Sequence, residues 1–160
     1  MDLVNLLFGF QGRIGRGQYW LVVGIWVGVA LVIFVLLTVA TVFLAVSLPQ
    51  SFYYVLAAVV YIPMLVAMVA AGIKRMHDRN KSAWWLLAFY LLPMVLPWFG
   101  LIFSGDFGAD FESLPMPVIA LYYIRVAIMI WAAVELGCLR GTIAGNPYGP
   151  DPVAPKPAKH

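Results

Sequence analysis

The chain has one cysteine in 160 residues, Cys138, so no internal disulfide can form. It has two histidines, His77 and His160, too few for the three or four ligands of a zinc site. Charge is scarce: Asp, Glu, Lys and Arg make up 11% of the residues, against about 25% in an average globular protein. That scarcity argues against a water-soluble enzyme, a disordered chain or a nucleic-acid-binding domain. Acids are fewest of all, seven in total. Three of them, Asp106, Asp110 and Glu112, lie close together, but their spacing is not that of a calcium-binding loop. No nucleophile elbow, P-loop or dinucleotide fingerprint is present. No metal, cofactor or catalytic group is therefore assigned from the residues.

What the chain has is apolar length. Hydrophobic residues make up 64%, and they fall in four runs. No charge occurs from Tyr19 to Leu48, from Phe52 to Ile73, or from Ala83 to Phe103. The fourth run, Leu114 to Leu139, holds only Arg125 and Glu135. Each run meets the ~20 residues needed to cross about 30 Å of hydrocarbon. The first exceeds the roughly 7–15 residues of a signal-peptide core, so it reads as an uncleaved span. The expected fold is an all-α integral membrane protein with four spans, about residues 19–46, 52–73, 83–103 and 114–139. One membrane domain covers residues 1–152, and a proline-rich, disordered tail covers 153–160.

Orientation follows from the basic residues. Arg13 and Arg16 precede the first run; Lys74, Arg75, Arg79 and Lys81 separate the second from the third; Arg140, Lys156 and Lys159 follow the fourth. The acidic loop between the third and fourth runs has no Lys or Arg. Both termini and the middle loop are thus expected on the cytoplasmic side, which explains the net charge of +3 without nucleic acid.

Local features carry their own expectations. Residues 2–10 suit a short interfacial helix with Phe8 and Phe10 dipping inward. Tyr19 and Trp20 stand where an aromatic belt would lie. Gly24 and Gly28 have the spacing of a close helix contact, which also arises by chance in apolar helices. Pro63, Pro93 and Pro97 should bend their helices and free the carbonyls of Val59 and Phe89. Cys138 reads as a packing residue. If the second span continues as a helix, Arg75 and Arg79 share one face, and Lys74 and Asp78 another.

Two groups of residues could carry function. Arg125 lies about eleven residues inside its run, where a guanidinium costs about 3 kcal/mol or more. Glu135 is ten residues further on, about 15 Å along the axis and about 80° around. The two cannot pair directly, and Ile128 and Ala132 lie in the sector between them, which should face the bundle interior. Glu135 can reach Arg75 or Arg79. For Arg125 the candidates are a freed carbonyl, Tyr122, Tyr61 or an external acid. The second group is cytoplasmic: Arg13, Arg16, Arg75, His77, Asp78, Arg79, Asn146, Tyr148 and Asp151. There, Asp78 and Asp151 should hold the separate segments together, leaving positive charge for anionic lipid headgroups. The tail should fold back on the middle loop as far as Pro152.

Three stretches, FQGRIGRGQYW, KRMHDRNKSAWW and GTIAGNPYGPDP, together resemble the bacterial domain of unknown function 805 family, the YhaH-like inner-membrane proteins. The resemblance runs from about Phe8 to Pro152. It carries over Gly12, Arg13, Arg16, Tyr19 and Trp20, then Arg75, His77, Asp78, Ser82, Trp84 and Trp85, then Gly145, Asn146, Tyr148, Gly149, Asp151 and Pro152. Met76 and Ala83 stand where the family usually has Leu and Gly. The resemblance implies a multi-pass protein of the bacterial inner membrane and no particular activity. Three functions stay open. One is a non-catalytic module that binds lipid headgroups, a partner protein or a second copy through its cytoplasmic surface. The second is a small transporter or channel using Arg125 and the kinked spans. The third is a membrane enzyme using His77 and Asp78.

Overall fold

The structure, a computed structural model, describes residues 2–105 and 114–153. The acids Asp106, Asp110 and Glu112 and the end of the tail lie outside the described residues. Among the described residues the chain is helical, with no strand beyond one isolated bridge between Asn146 and Gly149. Helix α1 is Leu3–Phe8. Helix α2, Arg16–Thr38, runs on through a π-helical turn at Val39–Phe43. Helix α3 is Gln50–Asp78. A second π-helical turn, Leu87–Leu91, leads into α4, Leu92–Ser104. Helix α5, Met116–Ala133, ends in a third, Val134–Cys138.

Three stretches are long and apolar enough to cross a membrane: Arg16–Phe43, Gln50–Asp78 and Met116–Cys138. The apolar stretch Leu87–Ile102 is shorter, about 24 Å at 1.5 Å per residue. Its start is delayed by the turn at Ser82–Trp84, whose N–H groups and carbonyls bond locally. Pro93 enters directly after the π-helical turn, in a helix that is continuous from Trp85, so it removes a donor from the helix interior. Pro63 and Pro97 sit inside α3 and α4.

Packing is concentrated at one end of the bundle. Leu6, Ile14, Tyr19, Val22, Ala67, Ala71, Met76, Leu86, Phe89, Ala132 and Leu136 form one buried cluster. Tyr19 thus belongs to the core rather than to an exposed belt. Ala67, Ala70, Ala71 and Gly72 of α3 are all buried. Small side chains let helices approach closely where lipid leaves no hydrophobic drive between them. A Cβ on Gly72 would lie 2.9 Å from Leu86, and one on Gly100 would lie 2.8 Å from Val118. A Cβ on Gly24 or Gly28, by contrast, would meet nothing within 4 Å, so their spacing marks no contact within the described chain. Trp131 of α5 meets Trp85 and Phe89 edge-on, with centroids 5.5 and 5.0 Å away. The far half of α2 carries a long exposed apolar surface, as expected of a helix facing hydrocarbon.

Candidate functional site

Helix α3 does not stop where its apolar run ends at Ile73. It continues to Asp78 and closes with a Schellman motif: Lys81 N–H donates to Met76 O (2.9 Å), and Asn80 N–H to His77 O (3.0 Å). Asn80 supplies the left-handed residue this motif needs, at φ 56°. The extra turn carries Lys74, Arg75 and Asp78 into the interior, where all three are buried.

Asp78 is the centre of the resulting cluster. Its Oδ1 accepts from Arg13 Nε (3.1 Å) and Nη2 (2.9 Å), and its Oδ2 accepts from Arg75. Arg75 and Asp78 are therefore partners three residues apart on one helix, not occupants of separate faces. Glu135 takes Arg79 (3.0 Å) and Lys81 (2.8 Å). Of its two expected partners, Arg79 is the one it meets. Arg125 and Ile128 are half-buried and Ala132 and Glu135 buried, so that sector does face inward. Asp151 makes no ion pair among the described residues. Its Oδ1 instead accepts the N–H of Val153 (2.9 Å). The expectation that Asp151 ties the segments together is thus corrected: Asp78 and backbone carbonyls do so.

Those carbonyls are what the sequence did not reveal. The end of α5 presents orphan acceptors, and side chains from other segments meet five in succession. Leu136 O accepts from Arg75 (2.7 Å), Gly137 O from Trp20 (3.0 Å) and Cys138 O from Arg16 (2.9 Å). Leu139 O accepts from Arg75 and Arg140 O from Arg79. Cations here also complement the negative end of the helix dipole. Gly137 is required by this arrangement, since a Cβ there would lie 2.7 Å from the Trp20 ring. Cys138 is exposed rather than packed. Arg13 extends the pattern to the tail, donating to Thr142 O (2.7 Å), Ala144 O (2.9 Å) and Gly149 O (3.1 Å). Lys74 caps α1 in the same way, through Asn5 O (2.9 Å) and Leu6 O (2.6 Å). Leu6 is buried, while Phe8 and Phe10 stay exposed.

The tail folds back on the middle loop. Asn146 Nδ2 donates to His77 O (2.8 Å), and the Tyr148 ring stacks on His77 at 3.9 Å and 5°. His77 Nδ1 lies 3.3 Å from Gly12 O. A carbonyl only accepts, so Nδ1 carries the proton. His77 and Asp78 thus have separate partners, and each is committed to holding segments together. Among the described residues no three His, Cys, Asp or Glu gather as metal ligands.

Two cations remain at the rim. Arg16 and Arg140 are exposed. With Gly15, Asp78, Gly141, Asp151 and Val153 they line a cavity of about 210 Å³. At the other polar position, Arg125 Nε has no hydrogen-bond partner among the described residues. Tyr61, one of its considered partners, lines an apolar groove between α2 and α3.

Apolar helices long enough to cross a bilayer, joined at one end by a buried ionic cluster, define a helical membrane protein. The chain belongs to the family described as protein of unknown function (DUF805), whose model matches residues 7–150. It is similar to the uncharacterized protein YiiR of Escherichia coli K12, 27% identical, with 94% of this chain and 90% of that protein covered. The YiiR of Escherichia coli O157:H7 matches to the same extent. No solved structure matches.

Proposed function

We propose that this is a four-span protein of the bacterial inner membrane, with both termini inside, and that its polar end is a non-catalytic module for phosphate-bearing lipid headgroups. The charge asymmetry of the chain supports the orientation. Leu87–Ile102, extended by the helical residues Trp85 and Leu86, supplies the fourth span. Seven cations (Arg13, Arg16, Lys74, Arg75, Arg79, Lys81 and Arg140) share this end with four acids (Asp2, Asp78, Glu135 and Asp151). That surplus draws anionic lipid to the face as a whole.

The observation that carries the reading is the state of Arg16 and Arg140. The other five cations are spent on carboxylates and carbonyls within the protein. Arg140 has no side-chain bond among the described residues, and Arg16 spends one nitrogen on Cys138 O. Both keep guanidinium donors suited to phosphate. His77 and Asp78 have structural partners and take no catalytic part. A transport role for Arg125 is the second reading, favoured by an Nε with no hydrogen-bond partner among the described residues.

Two experiments test the proposal. In an Arg16→Gln, Arg140→Gln double variant, phospholipid retained through detergent purification should fall about tenfold, with helicity unchanged. Retention equal to the parent would refute the headgroup reading. For orientation, a Ser104→Cys substitution in a Cys138→Ser background should be labelled in whole cells by a membrane-impermeant maleimide applied from outside. Labelling only from the cytoplasmic side would overturn it.

A further inference from the structure

Resting on the headgroup reading, we infer that the cavity bounded by Arg16, Arg140 and Asp151 is built for a headgroup carrying both a phosphate and a primary ammonium, as in phosphatidylethanolamine. A site for phosphate alone would need only the two arginines. This one also has an acid in its wall. Asp78 faces the cavity too, but both its oxygens are occupied by Arg13 and Arg75. Asp151 differs. One oxygen accepts the Val153 N–H, and the other has no partner among the described residues. Asp151 forms no ion pair among them even though two exposed arginines line the same cavity of about 210 Å³. Two separated donors and one separated acceptor match a two-ended ligand, with phosphate at the guanidiniums and ammonium at the carboxylate.

The surroundings fit a lipid rather than a soluble compound. Trp20 lies one helical turn beyond Arg16, about 6 Å along the axis of α2. Trp20, Leu21 and Leu139 are all exposed, and Leu139 directly precedes the cavity residue Arg140 in the chain. An acyl chain leaving the headgroup would run along these side chains toward the hydrocarbon.

Phosphatidylethanolamine and phosphatidylcholine isolate the acid's part. Both are zwitterions, but the trimethylammonium of choline has no N–H to donate. Native mass spectrometry of delipidated protein titrated with each lipid should show ethanolamine lipid retained about five- to tenfold better than choline lipid. In Asp151→Asn, the preference should fall to within twofold while phosphatidylglycerol retention is unchanged. Asparagine keeps an oxygen for the Val153 N–H, so the tail turn survives. Soluble glycerophosphoethanolamine at equal concentration should not displace the lipid; if it does, the lipid assignment is overturned. Equal retention of the two lipids by the parent, or an unchanged preference in Asp151→Asn, overturns the inference while leaving the headgroup reading intact. Full retention of every lipid by the Arg16→Gln, Arg140→Gln variant overturns that reading itself.

Discussion

Asp78→Asn is expected to be among the most damaging single substitutions in the chain, costing about 3–5 kcal/mol of stability. That is the cost of removing one partner of a buried pair, and here the loss leaves two guanidiniums facing each other. Arg13 and Arg75 are 6% and 0% exposed, so water cannot take the place of the carboxylate. The backbone is not the cause, because asparagine keeps the shape and the carbonyl of residue 78 still accepts from Thr142. Thermal unfolding in detergent should show a melting temperature lower by about 10 °C, from about 2–4 °C per kcal/mol for a chain of this size. A shift under about 2 °C would refute the role given to Asp78. A double-mutant cycle with Arg13→Gln separates the charge effect from general damage. If the pair matters as described, the double variant loses less than the sum of the two single ones.

That cluster also shows where the sequence was readable and where it was not. The helices followed from apolar runs, because a chain in hydrocarbon must satisfy its own backbone and has few ways to do so. Asp78 stands out as an acid among cations, and Asn146 and Tyr148 return to the middle loop as expected. Glu135 was legible as a partner of Arg79, but the carbonyl partners of the arginines were not, because a count of charges misses them. Seven cations and four acids look like unspent positive charge, yet the acceptors at the end of α5 are carbonyls, which any residue supplies. No side chain in the sequence marks Leu136, Gly137, Cys138, Leu139 or Arg140 as acceptors. Their role arises because α5 ends where α2, α3 and the residue capping α3 deliver Trp20, Arg16, Arg75 and Arg79. Lys74 shows the same lesson, since it serves α1 rather than any acid. The π-helical turns were equally hidden, because hydrophobic periodicity in an all-apolar run does not report a local widening of the helix.

Gly141→Ala tests the same junction from the tail side and is expected to detach it. A methyl group there would fall within the van der Waals envelope of both Asp78 carboxylate oxygens. Such a clash is harmless when the neighbour can swing away, but Asp78 is pinned by Arg13 and Arg75. The tail must therefore move. That breaks Thr142 N–H to Asp78 O (2.8 Å), and with it the Arg13 bonds to Thr142 and Ala144. Overpacking of this kind costs about 1–3 kcal/mol, and the lost charged hydrogen bonds add to it. The expected result is a helical protein whose segment after Arg140 becomes open to limited proteolysis, with a lowered melting temperature. Gly24→Ala is the matched control. Nothing lies within 4 Å of its added methyl, and alanine favours a helix interior over glycine by about 0.5–1 kcal/mol. That variant should keep its tail protected and melt no lower than the parent. Equal protease resistance in the two variants would mean that the tail is not held against Asp78.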